Sequence, residues 1–577
     1  MNSTEIPVLV GVTGHRDLLE PEKVGELLET FFSKLSSALP DTRFCLVSGM
    51  AAGADQIFVE CGKRVLGDRA EVLAVLPFSR QEYQKDFSAE ELPAYQRLLD
   101  SADHVEELPG SRDREAESYF AEGRYLIDHV NILVSVWDGC IACDRNGNPQ
   151  KGGTWEVSDL WMNYEQDEPK DLFSTDRTSA LIRIPAKRTA SAKRIDKPYK
   201  IKDFGLGDTN ELVVFDPTLS PDKFLSRSFS CRGFDRVLKQ LDSYNALCKK
   251  DCPGRAVSKE FLGIQNTTGI EKEIERFAIL DDTANTTQKR YGKQFLRIFM
   301  LSFLLGVCAQ IYGGVNHDFL SFNFFSCHFR PVTWSLPVYF LLVVCVFFYA
   351  FVQRRMGTDN KYLDYRILAE LLRIAIFWKI AGINENVKDS FLRKDPEHAE
   401  WTVIALKNWT FLDARAPDRK ECINDTDVRK AWVEDQYKYY KKTAERLKKQ
   451  AKKIHRRAVV VAGISMLFGV YFFVDTFLVR LTPQFLHGSL YAMNGILVGF
   501  GSFFMASLNF FLEKKGWDET AESYFSKEKL FELIFKRLEH MPPEKVPVYL
   551  SYLGHTAIRE HTEWLDQQRK RRPDPSI

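Results

Sequence analysis

The chain has no excess charge of either sign. Its 577 residues carry 79 Lys and Arg against 78 Asp and Glu, a formal net charge of +1. That balance lacks the basic surface on which nucleic-acid binding rests, so no nucleic-acid partner is expected. The amino terminus lacks an apolar stretch, which predicts no cleavable signal peptide. The 11 cysteines are scattered. Cys140 and Cys143 have C-x-x-C spacing, but no second pair and no histidines at ligand spacing stand beside them, so no metal site is expected. Free thiols in a reducing compartment are the reading that remains. At this length the chain also exceeds one ordinary domain.

What is present begins with two apolar runs that stop in small residues where a helix should start. They are Val8-Leu-Val-Gly-Val-Thr-Gly-His-Arg16 and Leu46-Val-Ser-Gly-Met-Ala-Ala-Gly-Ala-Asp55. Around them, residues 1 to about 160 alternate β-type runs with segments of helical spacing. Strands are expected at Val8–Val12, Phe44–Ser48, Glu71–Pro77, His104–Leu108 and Asn131–Trp137. Helices are expected at Pro21–Leu39, Ala54–Val65, Leu92–Leu99 and Arg114–His129. This rhythm predicts an α/β doubly wound parallel sheet. Ligands bind such sheets in a crevice at the carboxyl ends of the strands. Those ends carry Thr13, Gly14, His15 and Arg16; Ser48, Gly49 and the run to Asp55; Pro77 and Phe78; and Asp138 and Gly139. Gly152, Gly153, Thr154 and Glu156 follow. Gly11, Gly14, Gly49 and Gly53 permit tight turns and close approach of a ligand, and helix N-termini behind them suit a phosphate.

Five of these segments, Gly11-x-Thr-Gly-His-Arg16, Ser48-Gly-x-Ala-x-Gly-x-Asp55, Leu76-Pro-Phe78, Trp137-Asp-Gly139 and Gly152-Gly-Thr154, resemble the SLOG superfamily. That is the Rossmann-like group containing the Lonely-guy nucleoside-phosphate hydrolases, the DNA-processing Smf proteins and the amino-terminal region of TRPM channels. The resemblance covers about 150 residues and implies a nucleotide or nucleotide-derived ligand, with no further cofactor. The Lonely-guy enzymes carry a longer Pro-Gly-Gly-x-Gly-Thr-x-x-Glu element. Here the preceding Pro and the third Gly are missing, which favours binding over hydrolysis. His15 and Arg16 then grip phosphate or hold the turn. Asp55 bonds a ribose hydroxyl or caps its helix. Asp138 and Glu156 contact the ligand or, in an enzyme, serve as acid and base.

Residues 160 to about 260 are polar and read as an extension and a linker, with one helix at Phe234–Lys249. Four apolar stretches of membrane-spanning length follow: Phe295–Gly313, Val332–Val352, Ala458–Val479 and Gly488–Leu512. They predict an α-helical membrane region of four transmembrane helices in two hairpins, with the lipid bilayer as partner. Arg290, Lys293, Arg297, Arg354 and Arg355 flank the first hairpin. Lys448, Lys449, Lys452, Lys453, Arg456, Arg457, Lys514 and Lys515 flank the second. The positive-inside rule therefore places both termini in the cytoplasm, with the chain a multi-pass protein of the inner cell membrane. Gln310, Asp475, Asn494 and Asn509 are the polar groups within the spans, candidates for gating or for interhelical hydrogen bonds. Gly357-Thr-Asp359 with Tyr365, and Gly516-Trp-Asp518 with Tyr524, mark an internal repeat.

Tyr365-Arg-Ile-Leu-Ala-Glu-Leu-Leu-Arg373, Phe377-Trp378, Trp432, Gln436, Tyr439 and Tyr440 resemble SLATT membrane domains, proposed pore-forming effectors in bacterial conflict systems. The expected divisions are a sensor over 1–250, helix-hairpin units over 265–395 and 396–545, and a cytoplasmic tail over 546–577. The expected function is a nucleotide-gated membrane effector, a homo-oligomer because two pairs of spans enclose little water, acting in antiphage defence by resemblance. A membrane-anchored nucleoside-phosphate or NAD-like hydrolase and a membrane-tethered scaffold are the alternatives.

Overall fold

The computed structural model describes residues 4–570 apart from 145, 150, 168–178, 190–194, 200–212, 228–232, 251–253, 265–266, 315–321, 325–326, 330, 357, 392–399, 415–426 and 479–483. The chain divides into two units. The first is Met1–Cys252 with Glu271–Glu273 and Lys388–Glu421. The second is Pro253–Ile270, Ile274–Val387 and Cys422–Ile577.

In the first unit the strands are β1 (Val8–Gly14), β2 (Phe44–Ser48), β3 (Ala70–Leu76), β4 (His104–Glu107), β5 (Ile132–Trp137), β6 (Cys140–Cys143), β7 (Ala180–Pro185), β8 (Ile195–Pro198) and β9 (Val213–Val214). The helices are α1 (Pro21–Ala38), α2 (Ala54–Leu66), α3 (Arg80–Tyr83), α4 (Leu92–Asp100), α5 (Glu115–His129), α6 (Thr154–Asp167), α7 (Pro221–Arg227) and α8 (Phe234–Cys248). Seven strands form one parallel sheet in the order β4-β3-β2-β1-β5-β7-β9. β1, β2, β3 and β5 are buried almost throughout, as strands covered on both faces must be. The chain steps outward from β1 to β4, then returns to β5 and steps the other way. Right-handed crossovers put helices on opposite faces for opposite directions of travel. Accordingly α5 and α6 cover the face built from Leu9, Val47, Val75 and Leu133, and Phe31, Phe32 and Phe58 of α1 and α2 pack together elsewhere. This is the doubly wound sheet expected from the sequence, and β1 and β5 flank its switch point.

Several elements of this unit were not expected from the sequence, and two of them bear on its core. β7 lies in the stretch read as a polar extension, yet Ala180, Leu181, Ile182 and Ile184 are fully buried beside β5. The helix Glu400–Asp413, expected in the second hairpin unit, clusters with the first unit instead. Its Asn408 Nδ2 donates to the Pro7 carbonyl at 2.8 Å and its Trp409 Nε1 to that of Glu5 at 3.1 Å. From α8, Asn245 accepts from the Ile6 N–H at 2.7 Å and donates to the Ile6 carbonyl at 2.9 Å. The chain entering β1 is thus held by two distant helices.

The second unit is helical, apart from a small hairpin of β10 (Phe322–Phe324) and β11 (Cys327–Phe329). Its helices are α9 (Gly254–Phe261), α10 (Glu271–Gly314), α11 (Pro331–Met356) and α12 (Thr358–Ile380). With α13 (Val387–Ser390) and α14 (Glu400–Asp413) between, there follow α15 (Asp435–Phe473), α16 (Gln484–Lys515), α17 (Trp517–Glu539) and α18 (Val546–Lys570). The charged runs and the apolar stretches that follow them are continuous helices, 44 residues in α10 and 39 in α15. Among the described residues two helical segments, Glu271–Cys308 and Arg429–Phe473, are long and apolar enough to cross a membrane, rather than the four expected. Only 6% and 11% of their apolar windows are buried, unlike the core helix of a soluble protein. In α11 the apolar segment Pro337–Tyr349 is shorter. Most side chains of α16 before Phe500 fall outside the description. α10 packs on α16 through Phe303 against Phe503, with ring centroids 5.5 Å apart, and through Phe299 against Phe511 at 5.0 Å.

Candidate functional site

The carboxyl ends of β1 and β5 open into a cleft of about 550 Å³. Thr13, Gly14, His15, Arg16, Asp55, Gly152, Gly153 and Thr154 line it, eight of the residues singled out from the sequence. Gly11, Ser48, Gly49, Gly53, Pro77, Phe78, Asp138, Gly139 and Glu156 are not among its lining residues.

At the switch point His15 is 6% exposed. Its Nε2 lies 3.2 Å from Asp138 Oδ1 and 3.2 Å from the Asp138 backbone nitrogen, whose N–H donates to it when the ring is neutral. Asp138 also accepts from the Cys140 N–H at 2.8 Å. Burial pushes the Asp138 carboxyl up, but His15, the Cys140 N–H and Arg188 outweigh it and hold it below the ordinary range. The pair clamps β1 to β5. Arg16 reaches over the cleft, with Nη2 3.4 Å from the Asp86 carbonyl and its guanidinium 5.4 Å from the centre of the Phe87 ring.

Several glycines prove to be packing sites. A Cβ on Gly11 would meet Val130 Cγ1 at 2.7 Å, and one on Gly14 would press on Ala54 and Val136. Gly53 has φ +82° and its α-carbon lies against the backbone of the β1 tip, where a Cβ would come within 2.7 Å of the His15 carbonyl oxygen. The Ala54 N–H donates to that same carbonyl at 3.1 Å. Gly53 therefore lets two strand tips interlock, and a side chain there would strike protein before ligand. Gly153 is different: a Cβ on it would meet only Trp155 Cδ1, at 3.7 Å. It stands just before α6, facing the cleft, at the positive end of that helix.

Glu156 turns back to the start of its own helix, where its carboxylate accepts from the Gly152 N–H. That is a capping role. Phe78 is buried against Tyr83 and Tyr119, under the Arg112 guanidinium at 4.2 Å from its ring centre. Gly139, with φ +81°, packs on Arg183.

The remaining lining was not legible from strand tips alone. Lys151, Trp155 and Arg188 come from loops or from α6 itself. Tyr83, Asp86, Tyr119 and Glu122 come from α3 through α5. Helical spacing places Tyr119 and Glu122 on one face of α5, the only signal that pointed to them. Arg188 ion-pairs with Asp17 at 3.2 Å and Asp196 at 3.7 Å. Asp86 is engaged by Arg112 at 2.6 Å and by the Tyr119 hydroxyl. Asp55, 6% exposed, accepts from the Ser48 hydroxyl at 3.4 Å. Burial pushes its carboxyl up to about 7, against N–H groups of Ala51 and Gly49, Ser48 and Arg16. Burial and the Asp55 charge likewise raise Glu122 well above the usual range. Among the described residues no group of His, Cys, Asp and Glu is placed to hold a metal ion.

A second cluster lies in the helical unit, built from the residues that carry the SLATT resemblance. Phe377 stacks on Trp432 with centroids 5.5 Å apart and rings 2° from parallel. Glu370, 6% exposed, receives Arg366 at 2.5 Å and Arg373 at 2.9 Å, and His561 stands 3.8 Å away. Arg366 also pairs with Asp281 at 3.0 Å. Lys527 of α17 and His561 of α18 are members that the sequence did not announce. Of the polar groups expected in the spans, Asp475 is buried in a π-helical turn at Val474–Leu478 and Asn509 is exposed on α16. The side chains of Gln310 and Asn494 lie outside the described residues.

No protein-family model matches the chain, and no curated protein matches it. Resemblance to SLOG and SLATT proteins rests on the residues quoted above.

Proposed function

We propose that the chain is a nucleotide-sensing membrane effector. The observation that carries this reading is the cleft at the β1/β5 switch point, the position at which doubly wound sheets bind nucleotides. Arg16, Lys151 and Arg188 with the N-terminus of α6 supply positive charge for phosphate. Trp155 and Tyr119 offer aromatic surface for a base. The volume is that of a small-molecule site. Ligand binding favours one of two arrangements of the helical unit, and that choice sets whether the membrane is permeable to ions. The finer reading has four spans in two hairpins, both termini cytoplasmic at the inner membrane, and a homo-oligomeric assembly. An antiphage role follows from resemblance alone.

The test is thermal shift of the full chain in detergent against a panel of nucleotides. Ligand at about a hundred times Kd stabilises by roughly 2.7 kcal/mol. Gly153→Val should lose that shift while its own unliganded melting point stays near wild type, because its Cβ makes only an ordinary contact with Trp155, at 3.7 Å. A full shift in a folded Gly153→Val chain places the phosphate elsewhere.

The hydrolase reading keeps one support, which is Asp55. A carboxyl held near 7 suits proton transfer at neutral pH. Glu156 is instead engaged with the Gly152 N–H at the start of its own helix. Release of free base by wild type, lost in Asp55→Asn, would establish the enzyme.

A further inference from the structure

Two carboxyl groups meet on the floor of the cleft, at Gly49. A Cβ built on Gly49 would overlap the Glu122 carboxylate and lie 3.2 Å from Asp55 Oδ2. The two groups come from different elements, α2 and α5, and the bare α-carbon of Gly49 is what lets them converge. The neighbouring acids have other partners: Asp86 holds Arg112 and Tyr119, and Glu115 holds Arg112 at 3.0 Å. Asp55 is turned inward to Ser48 and the N–H groups of Gly49 and Ala51. Glu122 is the more open of the two and lines the cleft beside Tyr119 and Gly123.

We infer that Glu122, positioned by Asp55, reads the base of the ligand. It selects an edge that presents adjacent N–H donors, as the N1–H and N2–H₂ of guanine do, over an edge flanked by carbonyls, as in uracil. This inference rests on the nucleotide-sensing reading of the same cleft.

The chemistry follows from the charges. Around the pair stand one cation, Arg16 from the β1 tip, the phenols of Tyr83 and Tyr119, and the carboxylate of Asp86 beyond them. Two carboxylates side by side with one guanidinium do not both ionise readily, so the empty floor retains a proton. A donor edge offers the pair two N–H groups in place of that proton. The carboxylate of Glu122 takes them with both oxygens, and the proton leaves to solvent. A carbonyl-flanked edge sets oxygen against oxygen and gains nothing from ionisation. Binding of the favoured base is therefore coupled to proton release, and it strengthens as pH rises through neutrality.

The experiment is titration calorimetry of the full chain in detergent with GMP, IMP and UMP at pH 7, in two buffers of different ionisation enthalpy. IMP differs from GMP only by the 2-amino group. GMP should bind about tenfold to a hundredfold more tightly than UMP, the worth of a hydrogen bond to a charged group, with IMP between them. GMP binding should release protons, seen as a heat that changes with buffer. Glu122→Gln should bring GMP down to the level of UMP and abolish the buffer dependence. The proton count on wild type stands even if that variant does not fold. Equal affinities with no proton release would overturn this inference and leave the nucleotide reading intact. Absence of binding by all three would remove both.

Discussion

At the residue scale, the cleft turns on Asp55, a buried carboxyl beside the β1 tip that burial raises to about 7. Thr13, His15, Arg16 and Asp55 were legible because they close apolar runs, and the structure brings all four to one cavity. Gly53 and Glu156 were legible as unusual residues, yet their reasons differ from those expected. Gly53 accommodates the His15 carbonyl, and Glu156 caps the helix it belongs to. A sequence shows that a glycine is required without showing whether ligand or backbone requires it. Asp55 gives the sharpest prediction at this scale. Its carboxyl is raised from 3.8 to about 7, so the folded chain binds that proton more tightly than the unfolded chain. Both states are protonated below about 4, and stability falls as pH rises from there through about 7. The full span is worth on the order of 4 kcal/mol. Asp55→Asn should therefore melt higher than wild type at pH 8 and keep less than about half of that advantage at pH 5. An advantage that is equal at both pH values would mean that Asp55 ionises normally.

At the element scale, the strands and helices around β1 to β5 match the expected boundaries to within about two residues, because their periodicity is strong. β7 escaped because its flanks are polar and its six residues are too few to alternate visibly. Its burial comes from β5 and not from its own pattern. α12 shows the opposite case, in which a striking run of sequence, Tyr365 to Arg373, has a structural job that only the other helices explain. Glu370 holds two arginines in a buried network, and Arg366 and Arg373 draw its carboxyl down to about 2 against the cost of burial. Glu370→Ala should remove the carboxylate that Arg366 and Arg373 share, leaving Arg366 its contact with Asp281, and cost about 3–5 kcal/mol, read as a lower melting point. His561, neutral by burial with its ring held at about 3, adds a pH dependence of opposite sign to that of Asp55. The unfolded imidazole charges as pH falls below 6.5 while the folded one does not, so stability is present above 6.5 and lost toward 3. Glu370 adds a second loss as pH falls through 4.5 toward 2. The helical unit should thus melt lower at pH 5 than at pH 7.5, and His561→Gln should flatten that slope. A slope that is unchanged in His561→Gln assigns it to other groups.

At the scale of the whole molecule, the chain joins a compact α/β unit to a helical unit whose longest helices carry charge at one end and exposed apolar surface at the other. Leu296, Met300 and Leu304 on α10 and Met466, Leu467 and Val470 on α15 are about half exposed or more. Surface of that kind extends over several helical turns, beyond what a soluble monomer leaves uncovered. In α15 the change is abrupt: Lys452, Lys453, Arg456 and Arg457 stand immediately before Ala458, where the apolar stretch opens. Lys514 and Lys515 close α16, which runs back alongside α15. In the proposed topology, cations at both open ends of a helix pair mark one side of the membrane, which the positive-inside rule reads as the cytoplasm. The same reasoning applies to α10 and α11, with Arg290 and Lys293 before the first stretch, Arg297 at its start, and Arg354 and Arg355 after the second. If both pairs are hairpins, a reporter fused at Asp318 or at His487 reads outside and one fused at Ile577 reads inside. The hydrogen bonds from Asn408 and Trp409 to Pro7 and Glu5 hold the segment after Lys388 on the side of the amino terminus, so a reporter at Lys388 should read inside, with Ile577. An inside reading there, with Asp318 outside, establishes the first hairpin, whereas an outside reading at Lys388 removes α11 from the membrane and with it the paired arrangement.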